Sequence, residues 1–126
     1  MDINALVNEI KQRNDYDRVG MILCHNGVVR GTSRDGRQVS GLRIKVNWDE
    51  LAQVIASQKQ RPGIIDIAIK IDSDRDLKVG DDVMALVVAG DIRDNVLSVL
   101  SDTLNIIKTS VTAKTEFFIP TSTKDG

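Results

Sequence analysis

The spacing of the apolar residues along the chain predicts three amphipathic helices. Each apolar stripe has intervals of three and four residues, the repeat that lines up one face of a helix. The stripes run through residues 3–10, 51–55 and 96–107. Asp2 and Asp91 stand where they can cap the first and last helices, and residues 47–50 (NWDE) have the form of a capping box before the second.

Alternating or continuous apolar residues predict five strands, at residues 19–29, 41–46, 64–71, 82–89 and 116–119. Within 41–46 and 64–71 every second residue is apolar, which indicates strands that are buried on one face. Residues 82–89 (DVMALVVA) are almost wholly apolar, which is typical of a strand at the centre of a sheet. Asp35-Gly36, in the middle of the loop 30–38, is a strong signal for a β-hairpin turn.

The order of these elements predicts an α+β fold. From residue 41 onward it reads β-α-β-β-α-β, the ferredoxin-like split βαβ pattern, and a helix and a β-hairpin precede it. A length of 126 residues suits one domain, so residues 1–126 are expected to form a single domain. Residues 121–126 (TSTKDG) are polar and terminal, and we expect them to form a disordered tail.

Charge and composition exclude several classes of protein. The chain has 17 basic and 18 acidic residues and a net charge of −1, which argues against binding to nucleic acid or to an anionic membrane. No apolar stretch approaches the ~20 residues that span a bilayer, and the N-terminus does not resemble a signal peptide. With Cys24 as the only cysteine, no disulfide can form within the chain. We therefore expect a soluble, cytoplasmic protein.

The sequence offers few groups that could bind a metal. His25 is the only histidine, so clusters of several histidines and structural zinc sites are excluded. Cys24 and His25 are adjacent on a predicted strand and should point to opposite faces, which argues against a catalytic dyad and favours Cys24 as a small core residue. The acidic residues between 72 and 82 lack the EF-hand pattern and are interpreted as a solvated turn. We expect no metal site and no bound cofactor.

The remaining candidates are basic residues at the ends of predicted elements. Arg30 closes the first long strand, and Arg34 lies in the loop after it. Arg93 lies in the first turn of the last helix, where free backbone N–H groups favour anions. Lys108 ends that helix, and Lys114 follows six residues later. Such residues could form an anion pocket with an amine for acid or nucleophilic chemistry, or they could be solvated surface charges. Spacing alone leaves both readings open.

Three stretches in the predicted order resemble a known family. They are Gly27-Val28-Val29-Arg30 at the end of a strand, Leu77-Lys78-Val79-Gly80-Asp81 before the apolar strand, and the last helix, which opens with Arg93 and ends in Ile107-Lys108-Thr109. Together they resemble the large, catalytic subunit of molybdopterin synthase, the MoaE family. The resemblance covers roughly residues 19–116 and implies an α/β-hammerhead-like fold.

The resemblance implies a sulfurtransferase of molybdenum cofactor biosynthesis. In that family, a small ubiquitin-like subunit carries a thiocarboxylate on its C-terminal Gly-Gly and threads this tail into the large subunit. Two sulfurs are delivered to cyclic pyranopterin monophosphate, which gives the dithiolene of molybdopterin. The expected partners are therefore the small sulfur carrier, the pterin phosphate, and a second copy of the chain in a homodimer within a heterotetramer.

The family's site residues carry over position by position. Lys108 matches the catalytic lysine, Arg30 the strand-end arginine and Arg93 the arginine of a helix-opening His-Arg pair. The resemblance thus implies that Arg30 and Arg93, with Arg34, bind the substrate phosphate. The position of the second catalytic lysine falls on Thr115, and Lys114 is one residue away.

The chain also departs from the family's pattern. Ile92 stands where the histidine of the His-Arg pair is expected, and the chain ends soon after Pro120, where the family commonly continues with a basic segment. The resemblance is therefore to a divergent and C-terminally short member. Two alternatives stay open: a non-catalytic module that binds a ubiquitin-like tail or a pterin phosphate, and a structural homo-oligomer without a ligand pocket.

Overall fold

The computed structural model describes residues 1–120, which form three α-helices and six strands. In chain order these are α1 (Ile3–Lys11), β1 (Met21–Val28), β2 (Val39–Val46), α2 (Trp48–Lys59), β3 (Ile64–Ile71), β4 (Asp76–Lys78), β5 (Asp82–Gly90), α3 (Arg93–Ile106) and β6 (Thr112–Phe118). A 3₁₀ turn (Tyr16–Arg18) follows α1, and a π-helical turn (Ile107–Val111) joins α3 directly to β6. The tail predicted at 121–126 lies outside the described residues.

The strands form two antiparallel sheets of three strands each. The first sheet has the order β1-β5-β3 and the second the order β4-β2-β6. The α+β class is confirmed, and β5 is the central strand of the first sheet as predicted. The order contains one strand more than predicted, because β4 lies in the acidic stretch that was interpreted as a solvated turn. There it pairs with β2 and buries Leu77. The strands of the ferredoxin-like pattern are divided between the two sheets, because β2 and β6 pair with each other and with β4 instead of joining β3 and β5.

The connection between β1 and β2 reverses the chain. Its hairpin pairing is confined to a bridge between Thr32 and Gln38, and Gly36 at the turn has a φ of 86°, a left-handed conformation that favours glycine. The flanking strands then separate, since β1 pairs with β5 and β2 pairs with β4 and β6. The loop therefore carries the chain from one sheet to the other.

Helices cover both faces of the first sheet. On one face, Leu6 and Ile10 of α1 pack against Ala85 and Ala89 of β5. On the other face, α3 packs against Leu86 and Val88 through its apolar stripe, and α2 and the π-helical turn pack near the end of β5 that contains Met84. Since successive strand residues point to opposite faces, the sheet separates the α1 side from the α3 side.

Cys24 is exposed, so its interpretation as a small core residue was wrong. It lies on β1, an edge strand of the first sheet, whereas α1 is centred on β5. The neighbouring Ile22 is packed under α1, but Cys24, two residues further along the strand, is not covered. The pattern of apolar residues predicts a strand correctly here but does not reveal how far the covering helix reaches.

A buried polar pair joins α2 to α3. The Nε2 of Gln58 donates a hydrogen bond to the Oγ1 of Thr103 over 3.0 Å, and both side chains are buried. Because a buried polar group without a partner is costly, this bond fixes the rotation of α3 against α2.

We predict that Thr103→Val destabilises the fold, because it leaves the Gln58 amide buried without an acceptor. The expected cost in the free energy of unfolding is about 1–3 kcal/mol, measured by urea unfolding. The exposed Ser101 of the same helix provides the control, and Ser101→Ala should change stability little. The double variant Gln58→Met with Thr103→Val should recover much of the loss; a double variant that is as unstable as the sum of the single variants would contradict this account.

Candidate active site

Lys108 lies on the π-helical turn that follows α3. Ile107, directly before it, has no exposed surface and packs with Met84 and Leu51, which anchors the turn to the first sheet and α2. The backbone N–H of Asn47 donates to the carbonyl of Val111 over 2.9 Å and ties the far end of the turn to the start of α2. The exposed Lys108 therefore stands on a fixed backbone, and π turns are frequent at functional sites.

His25 lies on the side of the first sheet that α3 covers. On β1, Met21 and Leu23 pack on the α3 side, and His25 continues that alternation toward the end of α3. Partial burial lowers the pKa of His25, and the Lys108 ammonium lowers it further. The imidazole is therefore neutral at pH 7 and lies within electrostatic reach of the lysine.

Arg30 lies at the same end of the first sheet as Lys108. Ile107 packs on Met84, and Met84 is the register partner of Gly27, three residues before Arg30. The Arg30 side chain is exposed, and its Nε donates to the carbonyl of Thr32 over 2.8 Å, which orients the guanidinium at the start of the loop.

Lys114 lies on the inner face of the second sheet. Its register partner on β2 is Ile44, which is buried between the sheets, whereas Thr115 is paired with Arg43 on the outer face. The Lys114 Nζ lies 3.9 Å from a carboxylate oxygen of Glu116, two residues along the same face. Of the two positions considered from the sequence, Lys114 is the one on the same face of the second sheet as Ile44, and its side chain stays 53% exposed just after the π-helical turn.

Arg93 lies at the other end of α3. Its helix starts beside Gly90, the register partner of Met21, whereas Lys108 lies near the level of Gly27. Fifteen residues of helix separate Arg93 from Lys108, which corresponds to about 22 Å along the axis. The two side chains therefore do not share a hollow within one protomer. Arg34 is exposed near the tip of the loop between the two sheets.

Sequence reasoning selected Lys108, Arg30 and Lys114 but missed His25. Because His25 is adjacent to Cys24, the sequence analysis considered it only as part of a Cys–His dyad. The two side chains do point to opposite faces of the first sheet. Two features of the sequence could have indicated the position of His25. It follows Met21 and Leu23 at two-residue intervals on β1, and the last helix packs on the face of the sheet to which these residues point. Ile92, at the position expected for a histidine, is 56% exposed, and its backbone N–H donates to the Oδ1 of Asp91 over 2.7 Å. The prediction that Asp91 caps the last helix was wrong, because Ile92 is the N-cap residue of α3 and no side chain caps this helix.

The acidic loop is held by arginines. Arg75 makes three hydrogen bonds to the Asp72 carboxylate, the shortest 2.6 Å, and Arg43 pairs with Asp76 over 3.2 Å. In residues 1–120, no three His, Cys, Asp or Glu side chains form a group that could hold a metal ion. None of the helices in this part of the chain combines the length and apolar character needed to cross a bilayer.

An apolar groove lies elsewhere on the surface, between α2 and β3. Its volume is about 480 Å³, and its lining includes Trp48, Leu51, Ile55 and Ile69. None of the candidate basic residues lines it. The chemistry-bearing residues are thus separate from this groove.

Comparison with known proteins gives a family and several similar structures. The model of the MoaE family, described as MoaE protein, matches residues 1–110. Molybdopterin synthase from Staphylococcus aureus is 20% identical, with 87% of each chain covered and a TM-score of 0.69. Molybdopterin cofactor biosynthesis protein E from Burkholderia multivorans is 24% identical, with 94% of this chain and 84% of that chain covered and a TM-score of 0.73.

A third similar structure is a complex of subunits 1 and 2 of the molybdopterin-converting factor from Helicobacter pylori. Its matching chain is 16% identical, with 94% of this chain and 84% of that chain covered and a TM-score of 0.67. At such identities the likeness establishes the fold, which agrees with the hammerhead-like architecture expected from the sequence. A search of curated protein sequences gave no match.

Proposed function

The chain belongs to the MoaE family, as the sequence resemblance predicted, and from this premise we propose that it is the large, catalytic subunit of a molybdopterin synthase. It accepts a thiocarboxylated Gly-Gly tail from a small ubiquitin-like subunit and transfers the sulfur to cyclic pyranopterin monophosphate. The observation that supports this best is the placement of Lys108: an exposed amine on a fixed π-helical turn, at the same end of the first sheet as Arg30.

The thiocarboxylate and the pterin phosphate are both anions, and the proposed site meets them with cations. The Lys108 ammonium attracts the acyl sulfur and can give or accept a proton as charge moves between sulfur and acyl oxygen. The Arg30 guanidinium is suited to the phosphate because its planar fork can donate two parallel hydrogen bonds to one anion. Arg34, four residues along the same loop, supplies a second guanidinium for the same group.

Lys114 takes the role of the second lysine. Lys114 lies on the inner face of the second sheet and follows the turn that carries Lys108. Thr115 is uncharged and lies on the outer face, so it cannot take this role. The interaction of Lys114 with Glu116 is long and solvated, so an incoming anion can replace it at small cost.

Arg93 joins the site from a second protomer. Its distance from Lys108 along α3 excludes a shared hollow within one chain, so its proposed phosphate contact requires a homodimer. A two-fold dimer makes such contacts reciprocal: when Arg93 of one copy enters the partner's site, Arg93 of the partner enters the site of the first copy. We propose two such sites per dimer, each served by one small subunit, in a cytoplasmic heterotetramer that binds neither nucleic acid nor membrane.

A second candidate function is binding without turnover. It is favoured by Ile92, an exposed apolar residue at the position where the family pattern has a histidine. In this case the protein holds the thiocarboxylated tail or the pterin phosphate but forms no dithiolene. Wild-type protein that forms a complex with both and yields no product would support this alternative.

We predict that Lys108→Ala lowers the rate of dithiolene formation by about 10²–10⁴-fold, because it removes the charge and proton carrier at the acyl sulfur. The assay combines the purified protein with a thiocarboxylated small subunit and the pterin precursor. Lys11→Ala is the matched control, since Lys11 also ends a helix but α1 lies on the opposite face of the first sheet. Turnover of Lys108→Ala at the wild-type rate would rule out the proposed mechanism.

We predict that Lys108→Ala and Arg93→Ala complement each other when the two inactive variants are mixed under conditions that exchange protomers. Half of the dimers are then mixed, and each mixed dimer keeps one intact site, which gives about a quarter of the wild-type activity. Mixing Lys108→Ala with Arg30→Ala is the control. Both residues are proposed to serve the site from the same protomer, so each site of a mixed dimer lacks one of them and no activity should be recovered. Absence of recovery in the first mixture, with exchange verified, contradicts the role of Arg93.

A further inference from the structure

We propose that two copies of this chain join through β1 and one flank of α3, and that this two-fold contact places Arg93 of the partner subunit beside Lys108. The contact follows from the edges of the two sheets and from the surface of α3, and it does not depend on the reaction. The assignment of Arg93 to the catalytic site of the other copy rests on the proposed function.

Among the four edge strands of the two sheets, β1 is the one without protection against pairing. Edge strands carry unpaired backbone groups, and monomeric proteins protect them by charges, prolines or short length. The eight residues of β1, MILCHNGV, include no Asp, Glu, Lys, Arg or Pro. In residues 1–120, β5 is the only strand that pairs with β1, and their register is regular from Met21 to Gly27. This edge is therefore open to another strand.

The other three edge strands are protected. β4 is only three residues long. On β3, the backbone N–H of Ile67 donates to the Asp66 carboxylate over 2.9 Å, and Arg13 pairs with the same carboxylate over 3.3 Å. β6 carries the charged residues Lys114 and Glu116. The uncharged edge of β1 thus suits another uncharged strand, and a second copy of the chain supplies one.

The alternation of backbone groups shows which residues of β1 are available. The Gly20 N–H donates to the Gly90 carbonyl over 2.8 Å, so the even-numbered residues of β5 direct their backbone groups toward β1. Their register partners are the odd-numbered residues of β1. The even-numbered residues Ile22, Cys24 and Asn26 therefore direct their N–H and C=O groups away from β5.

The position of the two-fold axis follows from this alternation. Cys24 is the middle residue of the regular segment 21–27, and its backbone groups point outward. An axis at Cys24 pairs this residue with its own symmetry mate and pairs Ile22 with Asn26 of the partner subunit, so that the whole regular segment is used. The two first sheets then form one antiparallel sheet of six strands.

One flank of α3 faces the free edge of β1. The opposite flank faces α2, because Arg61, just after α2, donates to Asp102 over 2.9 Å. The flank toward β1 is marked by Leu100, which packs in the same cluster as Met21 and Leu23. At intervals of three and four residues, this β1 flank of α3 consists of Arg93, Leu97, Leu100, Leu104 and Lys108.

The middle of the β1 flank is apolar and suits its own symmetry mate. Leu97 is 47% exposed, whereas Leu100 and Leu104 are half-buried. α3 runs in the same direction as β1, from the level of Gly90 to that of Met84. Antiparallel pairing of β1 therefore sets the two α3 helices antiparallel and side by side, where their leucines cover one another and exclude water.

The two ends of this helix pair combine cations from both copies. Since the helices run in opposite directions, Arg93 of the partner subunit lies at the level of Lys108 and Arg30. Like charges from two chains repel each other, and an anion such as phosphate between them removes the repulsion. The helix length of about 22 Å that separates Arg93 from Lys108 in one chain thus brings them together in the dimer.

Sedimentation of the full chain at several concentrations tests the contact without any substrate. The wild-type protein should be a dimer. Cys24→Lys places two ammonium groups at the two-fold axis, and Leu97→Glu places a carboxylate among the leucines. Each should raise the dimer Kd by about 10²-fold or more. Both side chains are exposed, so the protomer should keep its fold, which circular dichroism checks.

Matched controls place the same charges on other surfaces. Thr115→Lys changes an exposed residue of β6, the edge of the second sheet, and Val79→Glu changes a residue that is also 47% exposed. Both should leave the dimer Kd unchanged. A monomeric wild-type protein, or a dimer that survives Cys24→Lys and Leu97→Glu, would overturn the proposal. A thiocarboxylated small subunit that displaces the second copy from β1 would overturn it as well.

The position of the axis is tested by oxidation with diamide, because Cys24 is the only cysteine. Residues in a hydrogen-bonded antiparallel pair have Cα atoms about 5.5 Å apart, within the range of about 4.4–6.8 Å that a disulfide needs. The wild-type dimer should therefore form a covalent dimer on a non-reducing gel. In a Cys24→Ser background, Asn26→Cys should not cross-link, because its symmetry mate lies four residues along the strand, about 13 Å away. The reverse result would overturn an axis at Cys24.

Activity separates the contact from the proposed function. Cys24→Lys keeps every candidate site residue of its own chain but loses Arg93 of the partner subunit, so its dithiolene formation should fall as far as that of Arg93→Ala. Full turnover by monomeric Cys24→Lys would overturn the shared site and leave the contact standing. Full turnover by Lys108→Ala would end the proposed function, and sedimentation would still decide whether the contact exists.

Discussion

The burial of β5 between helices on both faces determines where the candidate residues of the first sheet and α3 lie. Residues 85–89 have no exposed surface. Ala85, Val87 and Ala89 pack on the α1 side of the sheet, and Leu86 and Val88 pack on the α3 side. With β5 fixed, the register of β1 places His25 opposite Leu86, and the packing of Ile107 on Met84 places the end of α3 at the same level. The hydrophobic effect in one strand thus sets the geometry of a polar surface several residues away.

Much of the fold was predictable, because its strongest signals are local. The apolar run of β5, the helical stripes and the capping residues of α1 and α2 each depend on a few neighbouring residues, and the structure has them as predicted. The division into two sheets was not predictable, because strand pairing joins residues distant in sequence. Residues 112–115 (TAKT) show why: they are polar enough to read as a loop, but pairing with β2 makes them the first half of β6.

The candidate site was predictable in part. Lys108 and Arg30 were selected through the family resemblance, and the structure places both at one end of the first sheet. The inward orientation of Lys114 depended on where β6 begins, which the sequence did not reveal. The separation of Arg93 from Lys108 follows from helix length alone, since both belong to one continuous helical segment.

The direct junction of α3, the π-helical turn and β6 has a consequence for how this chain can change over evolution. Packing fixes α3 on the first sheet, and strand pairing fixes β6 on β2, with no flexible linker between them. One residue gained or lost in the turn would shift β6 by one position, so that Lys114 would point to the outer face of the second sheet and Thr115 to the inner face. This segment can therefore accept changes of residue type more readily than insertions or deletions. We expect its length to stay the same in divergent relatives even where its residues differ.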